Sequence, residues 1–212
     1  MINIHSNDVQ KLYIAYFGRP GDPSGLNYWI SRSNESLTLR AISNQLSIQN
    51  EYVNLMGNKS LEQQINKTYL NLFNRKADFD SLNYWLRIVD DKNLLISDIV
   101  YQLVDSQNQS NLIDIALNDK DINIMKNKIE AAELFTNQIS RSIFLVNLYQ
   151  PASISPWVSG DSLVEASNFL RNINHHKVSI NDVNKFINSI SDISVEILTR
   201  PAIEIKNLSL TI

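Results

Sequence analysis

Leu12-Tyr13-Ile14-Ala15-Tyr16-Phe17-Gly18-Arg19-Pro20-Gly21-Asp22-Pro23-Ser24-Gly25-Leu26-Asn27-Tyr28-Trp29 decides the fold, because it occurs twice. It returns without a gap, 56 residues on, as Thr68-Tyr69-Leu70-Asn71-Leu72-Phe73-Asn74-Arg75-Lys76-Ala77-Asp78-Phe79-Asp80-Ser81-Leu82-Asn83-Tyr84-Trp85. Tyr13, Phe17, Arg19, Asp22, Leu26, Asn27, Tyr28 and Trp29 meet identical residues at Tyr69, Phe73, Arg75, Asp78, Leu82, Asn83, Tyr84 and Trp85. Recurrence of that length marks a supersecondary unit used twice. Val9, Leu12, Tyr13, Tyr16 and Phe17 form one apolar helical stripe, and Ile65, Thr68, Tyr69, Leu72 and Phe73 form its counterpart. Gly18 can end the first helix in a left-handed conformation, and Asn74 is the residue next best suited to do so. Asp22 before Pro23 reads as an N-cap and first helical residue; Asp78 caps without the proline. Each unit is predicted to be a helix, a short arginine-bearing turn and a second helix.

Working outward, the pattern Leu-Tyr-x-x-x-Phe-Gly-Arg-x-x-Asp-x-x-Gly-Leu-x-Tyr-Trp resembles a family of bacterial repeat domains of uncharacterised function. That family occurs at the N-termini of S-layer proteins and in secreted surface proteins of the RTX, haemolysin-type group. The first copy fits from Leu12 to Trp29. The second departs at Asn74, where the family has glycine, and at Asp80-Ser81. Residues Lys128 to Thr136 resemble the family's closing helix, so the likeness spans about the first two thirds of the chain. It implies a helical, non-catalytic module. In the S-layer relatives the corresponding region anchors the lattice to lipopolysaccharide.

The expected fold class is all-α. Two tandem multi-helix repeats occupy about 8–58 and 61–117, the second holding helices near 78–89, 95–106 and 109–117. Ser36 is placed to cap the third helix of the first repeat, and Ser60 with Gln63 makes a capping box for the second. Residues 119–149 lack Gly and Pro and carry Met125, Ile129, Ala132, Thr136, Ile139, Ile143 and Val146 at alternating spacings of four and three, which predicts one long helix. A linker over 150–160 follows, with Trp157 as a loop anchor or an exposed stacking residue, and then a helix pair over 161–192. The tail over 193–212 alternates apolar and polar residues, which is strand period. Pro201 to Ile212 is similar to the first strand of an ABC-transporter ATPase domain, which would make the tail the start of a following domain.

A net charge of −3 argues against nucleic acid as the main partner, since phosphate binding needs concentrated Lys and Arg. The absence of cysteine excludes a disulfide framework, a thiolate zinc site and a cysteine nucleophile. No apolar run approaches the ~20 residues of a membrane span. Met1 to Asp8 lacks the basic-then-apolar pattern of a secretory signal. The relatives are often exported by a C-terminal signal, so a cell-surface or secreted location stays open beside a cytoplasmic one attached to a membrane transporter.

No catalytic constellation stands out, and no Gly-x-x-x-x-Gly-Lys-Ser/Thr phosphate loop occurs, so no enzyme is expected. His175-His176 reads as a solvated turn. Asp78/Asp80 and Asp90-Asp91 are candidate calcium ligands without EF-hand spacing; no other cofactor is implied. Arg19 and Arg75 admit two readings. Each can fix its turn through Asp22 or Asp78, or it can reach sugar hydroxyls and anions beside the tyrosine. Arg19, Asn27, Tyr28, Arg75, Asn83 and Tyr84 are therefore the candidate glycan-binding residues. The expected function is recognition of surface polysaccharide or lipopolysaccharide as an anchoring module, in a homo-oligomer or attached to a longer chain. The alternative is an accessory domain of a polysaccharide-exporting ABC ATPase, acting in protein interaction or cargo recognition.

Overall fold

The computed structural model describes residues 4–34, 37–105, 117–149 and 161–199. Within them the protein is all-α, with eleven helices and no strand. They are α1 (Ser6–Phe17), α2 (Pro23–Asn34), α3 (Leu39–Ser47), α4 (Asn50–Met56), α5 (Leu61–Phe73), α6 (Phe79–Lys92), α7 (Ile96–Val104), α8 (Asp119–Ile139), α9 (Ile143–Leu148), α10 (Asp161–Arg171) and α11 (Ile180–Thr199).

Helix α1 is the centre of the main core. Every residue from Val9 to Phe17 is buried, because α2, α3, α4, α5, α7 and α8 all pack on it. A helix enclosed on every side must satisfy its polar side chains internally. Gln10 does so: its Nε2 donates to Thr136 Oγ1 at 2.8 Å and its Oε1 accepts from Gly21 N at 2.9 Å. Thr136 Oγ1 then donates to Gly21 O at 2.8 Å, so α1, α8 and the arginine turn are tied by one network.

The recurring residues adopt recurring local geometry. Gly18 ends α1 at φ 68° and Asn74 ends α5 at φ 60°, both left-handed. Asp22 Oδ2 accepts from Gly25 N at 2.8 Å at the start of α2, and Asp78 Oδ1 accepts from Ser81 N at 2.8 Å at the start of α6. Gly21 N bonds the Gln10 side chain as Ala77 N bonds that of Asn66. The Ala15 carbonyl accepts from Asn71 Nδ2, and the Asn71 carbonyl in turn accepts from Lys128 Nζ. Helix α1 packs on α5, and α3 packs on α7. Gly25 is required by a close approach: a Cβ there would lie 2.1 Å from the Tyr13 hydroxyl.

Asn74 combines a left-handed backbone with a bond from its Nδ2 to Ile173 O. Asn74→Gly is expected to cost about 1 kcal/mol for the lost bond. Asn74→Ala should cost roughly 1–2 kcal/mol more, from forcing a Cβ into the left-handed region. Urea unfolding of the two variants separates these contributions.

Several expected boundaries differ. Residues 119–149 are two helices, since α8 ends at Ile139 and α9 starts at Ile143. Short serine side chains compete with helical backbone bonds at this break: Ser140 Oγ donates to Asn137 O at 3.0 Å, and Ser142 caps α9 through Leu145 N. Ile143, expected in the core, is 76% exposed. The break has a packing reason. A continuous helix would carry Tyr149 about 15 Å beyond Ile139, whereas the turn returns it to Phe135 at a ring distance of 4.8 Å. Thr38 caps α3, accepting from Ala41 N. Residues 193–199, read above as extended, belong to α11. Its apolar side faces a second core cluster that includes Phe135, Ile139, Tyr149, Leu163, Val183 and Ile187. Ser36, residues 109–116 of the helix expected at 109–117, the linker with Trp157 and the tail from 200 lie outside the described residues.

Candidate functional site

The turn after α1 buries a complete ion cluster. Arg19 is 1% exposed and meets Glu51 of α4 through two parallel bonds of 2.6 Å, from Nε to Oε1 and from a terminal nitrogen to Oε2. Its other N–H groups go to Pro20 O at 2.9 Å and to Asp22 Oδ1 at 3.4 and 3.5 Å. The rings of Tyr13, Phe17 and Tyr149 surround the guanidinium at 5.3–5.7 Å. Burial disfavours the charge, but Glu51, with Tyr149 and Asp22, outweighs it and holds the Arg19 pKa well above the ordinary range. Tyr149 donates to Pro20 O at 2.7 Å, and burial pushes its phenol pKa up.

All five guanidinium N–H groups are thus spent. Arg19, named above as a sugar contact, has no donor left for a hydroxyl; it braces the turn. Arg75 repeats the arrangement with a different acid and less burial. It bonds Asp121 at the start of α8 at 2.9 and 2.7 Å, bonds Lys76 O at 3.0 Å, and meets Asp78 at 3.3 Å. Its side chain is 30% exposed. The Asp22 and Asp78 partners were predicted from sequence. Glu51 and Asp121 were not, because neither stands at the repeat offset from the other.

The Arg19–Glu51 pair separates two cavities. The first, about 560 Å³, is lined by Tyr28 and Ser24 of α2, by Gln45 of α3, by Gln49 and Asn50 at the start of α4, and by the ion cluster beneath. Tyr28 is 55% exposed and packs edge-on against the buried Trp29 at 4.8 Å. Its ring is therefore braced on one side while more than half of the residue stays exposed. The second cavity, about 620 Å³, lies between the α1 turn, α4, α5 and α10.

Of the six sequence candidates, Arg19 and Tyr28 share the first cavity. Asn27 is exposed on α2 but lines neither cavity. Arg75, exposed Asn83 and half-buried Tyr84 lie away from both. Gln45, Gln49 and Asn50 were missed, since they fall outside the repeated stretch and no sequence signal marks them. Among the described residues no group of three or more metal-ligating side chains comes together. No helix there is long and apolar enough to cross a membrane. No family model matches the chain, and no curated protein or solved structure shows significant similarity to it.

Proposed function

We propose that the protein is a non-enzymatic module that recognises bacterial cell-surface polysaccharide or lipopolysaccharide and serves as an anchor at the cell surface. One observation carries the reading: the first cavity sets an open, braced tyrosine ring among neutral hydroxyl and amide side chains. Aromatic faces pack on the C–H faces of sugar rings. Amides and hydroxyls both donate and accept, which matches the dual character of sugar hydroxyls. The buried ion cluster contributes by fixing the α2 start and α4, which carry the contacts. In this reading Tyr28 is the stacking surface, and Ser24, Gln45, Gln49 and Asn50 are the polar contacts.

Calorimetric titration with lipopolysaccharide or capsular polysaccharide from the producing cell, with and without calcium, tests the reading. Saturable binding is expected, weakened about tenfold by Tyr28→Ala, a loss of about 1.4 kcal/mol. Gln49→Ala should act in the same direction, while Tyr84→Ala serves as the remote control. Absence of heat at high glycan concentration, or equal binding by wild type and Tyr28→Ala, would overturn it.

A further inference from the structure

The second cavity collects positive charge that the fold does not neutralise. Lys67 of α5 and Arg171 of α10 line it, and the buried Lys128 of α8 stands behind it with Nζ on Asn71 O. Lys67 and Arg171 lie close enough to disfavour charge on Lys128, and Arg171 does the same to Lys67. Among the described residues no carboxylate lies within ion-pairing distance of any of the three. The one acid on the wall, Glu51, is taken by Arg19 through both oxygens. Lys67 is half-buried and Arg171 exposed on the same wall, and no acid is left there to meet either. These two cations, carried by two helices, present an open seat for an anion.

The remaining wall gives the anion its character. Asn168 supplies an amide beside the cations, whereas Asn71 and Ser167 already donate within the fold to Ala15 O and Leu163 O, and Leu55, Leu70 and Val164 form a rim of solvent-exposed aliphatic side chains. We infer that this cavity is a binding site for an anionic amphiphile, with a phosphate or carboxylate head held by Lys67 and Arg171 and its apolar body against Leu55, Leu70 and Val164. The site stands apart from the sugar cleft, on the other side of the Arg19–Glu51 pair, and does not depend on the glycan reading.

Octyl phosphate, octanoate, inorganic phosphate and the neutral octyl glucoside, all below their micellar concentrations, are the probes. Calorimetry on the full chain should show saturable binding of octyl phosphate and octanoate, at least tenfold tighter than of inorganic phosphate or octyl glucoside. Lys67→Met and Arg171→Gln should each weaken octyl phosphate at least tenfold, with thermal stability unchanged or raised, because each removes a repulsive charge. Tyr28→Ala should leave octyl phosphate binding intact, which separates this site from the sugar cleft. No binding, equal binding of octyl glucoside, equal binding of inorganic phosphate, or indifference to both substitutions would each overturn the inference.

Discussion

Arg19→Ala is expected to remove roughly 3–5 kcal/mol of stability, the range for breaking a buried ion pair from one side. The loss is large because of what remains. Glu51 and Asp22 are both buried, and without the guanidinium two carboxylates are left side by side with little solvent to screen them. Three aromatic rings also lose the group they enclose. Against a typical total of about 5–15 kcal/mol, such a loss threatens folding itself. Arg19→Lys should recover little, since an ammonium cannot make the paired bonds to Glu51 while also serving Pro20 and Asp22. Arg19→Leu combined with Glu51→Leu should lose less than the two single changes together, because it removes one of the two stranded charges and leaves Asp22 with its bonds from Ser24 and Gly25. Arg75→Ala, at the matching position, should cost less, roughly 1–3 kcal/mol, because the Arg75 guanidinium is partly exposed and water can enter where it stood, while the buried Asp121 carboxylate it strands keeps the bond from Asn118 N. Urea unfolding with a common m-value decides it. Equal losses at Arg19 and Arg75 would show that burial does not set the cost.

That contrast marks how far the sequence was legible. Helix caps were readable because they are local: Gly18, Asn74, Asp22, Asp78, Ser60 and Gln63 act within a turn of themselves. The all-α class followed from the stripes those caps bound. The acids that complete the arginine clusters could not be read, since Glu51 and Asp121 arrive from separate helices 32 and 46 residues away. The same gap hid the cleft. Tyr28 was visible within the motif, but Gln45, Gln49 and Asn50 meet it only through the packing of α3 and α4 on α1. The break at Ser140–Ser142 was hidden for a related reason. Its serines weaken a helix without forbidding one, and the burial of Tyr149 against Phe135 and Pro20 O favours the turn.

Lys128 gives the second large effect, a stability that rises with pH above neutrality. Its amine is buried and donates to Asn71 O. Burial, with Arg171 of α10 and Lys67 of α5 nearby, pushes its pKa down to about 7. An unfolded lysine titrates near 10.4. From about pH 7 to about pH 10 the unfolded chain therefore holds a proton that the folded chain has released, so stability climbs with pH. The integrated gain between pH 7 and 9.5 is roughly 2–3 kcal/mol on that relation. Lys67, lowered by burial and by Arg171, acts in the same direction. The climb should end near pH 10, where unfolded tyrosines begin to ionise. The phenols of Tyr13, Tyr16 and Tyr149, pushed up first by burial, stay protonated in the fold, so stability falls with further alkalinity. Lys128→Met removes the titrating group at similar length and should flatten most of the rise while stabilising the protein at pH 6.5. Urea midpoints at pH 6.5, 8 and 9.5 for both proteins read this directly. A flat wild-type profile, or an unchanged slope in Lys128→Met, would mean that Lys128 keeps its proton in the fold and that the three cations do not repel one another there.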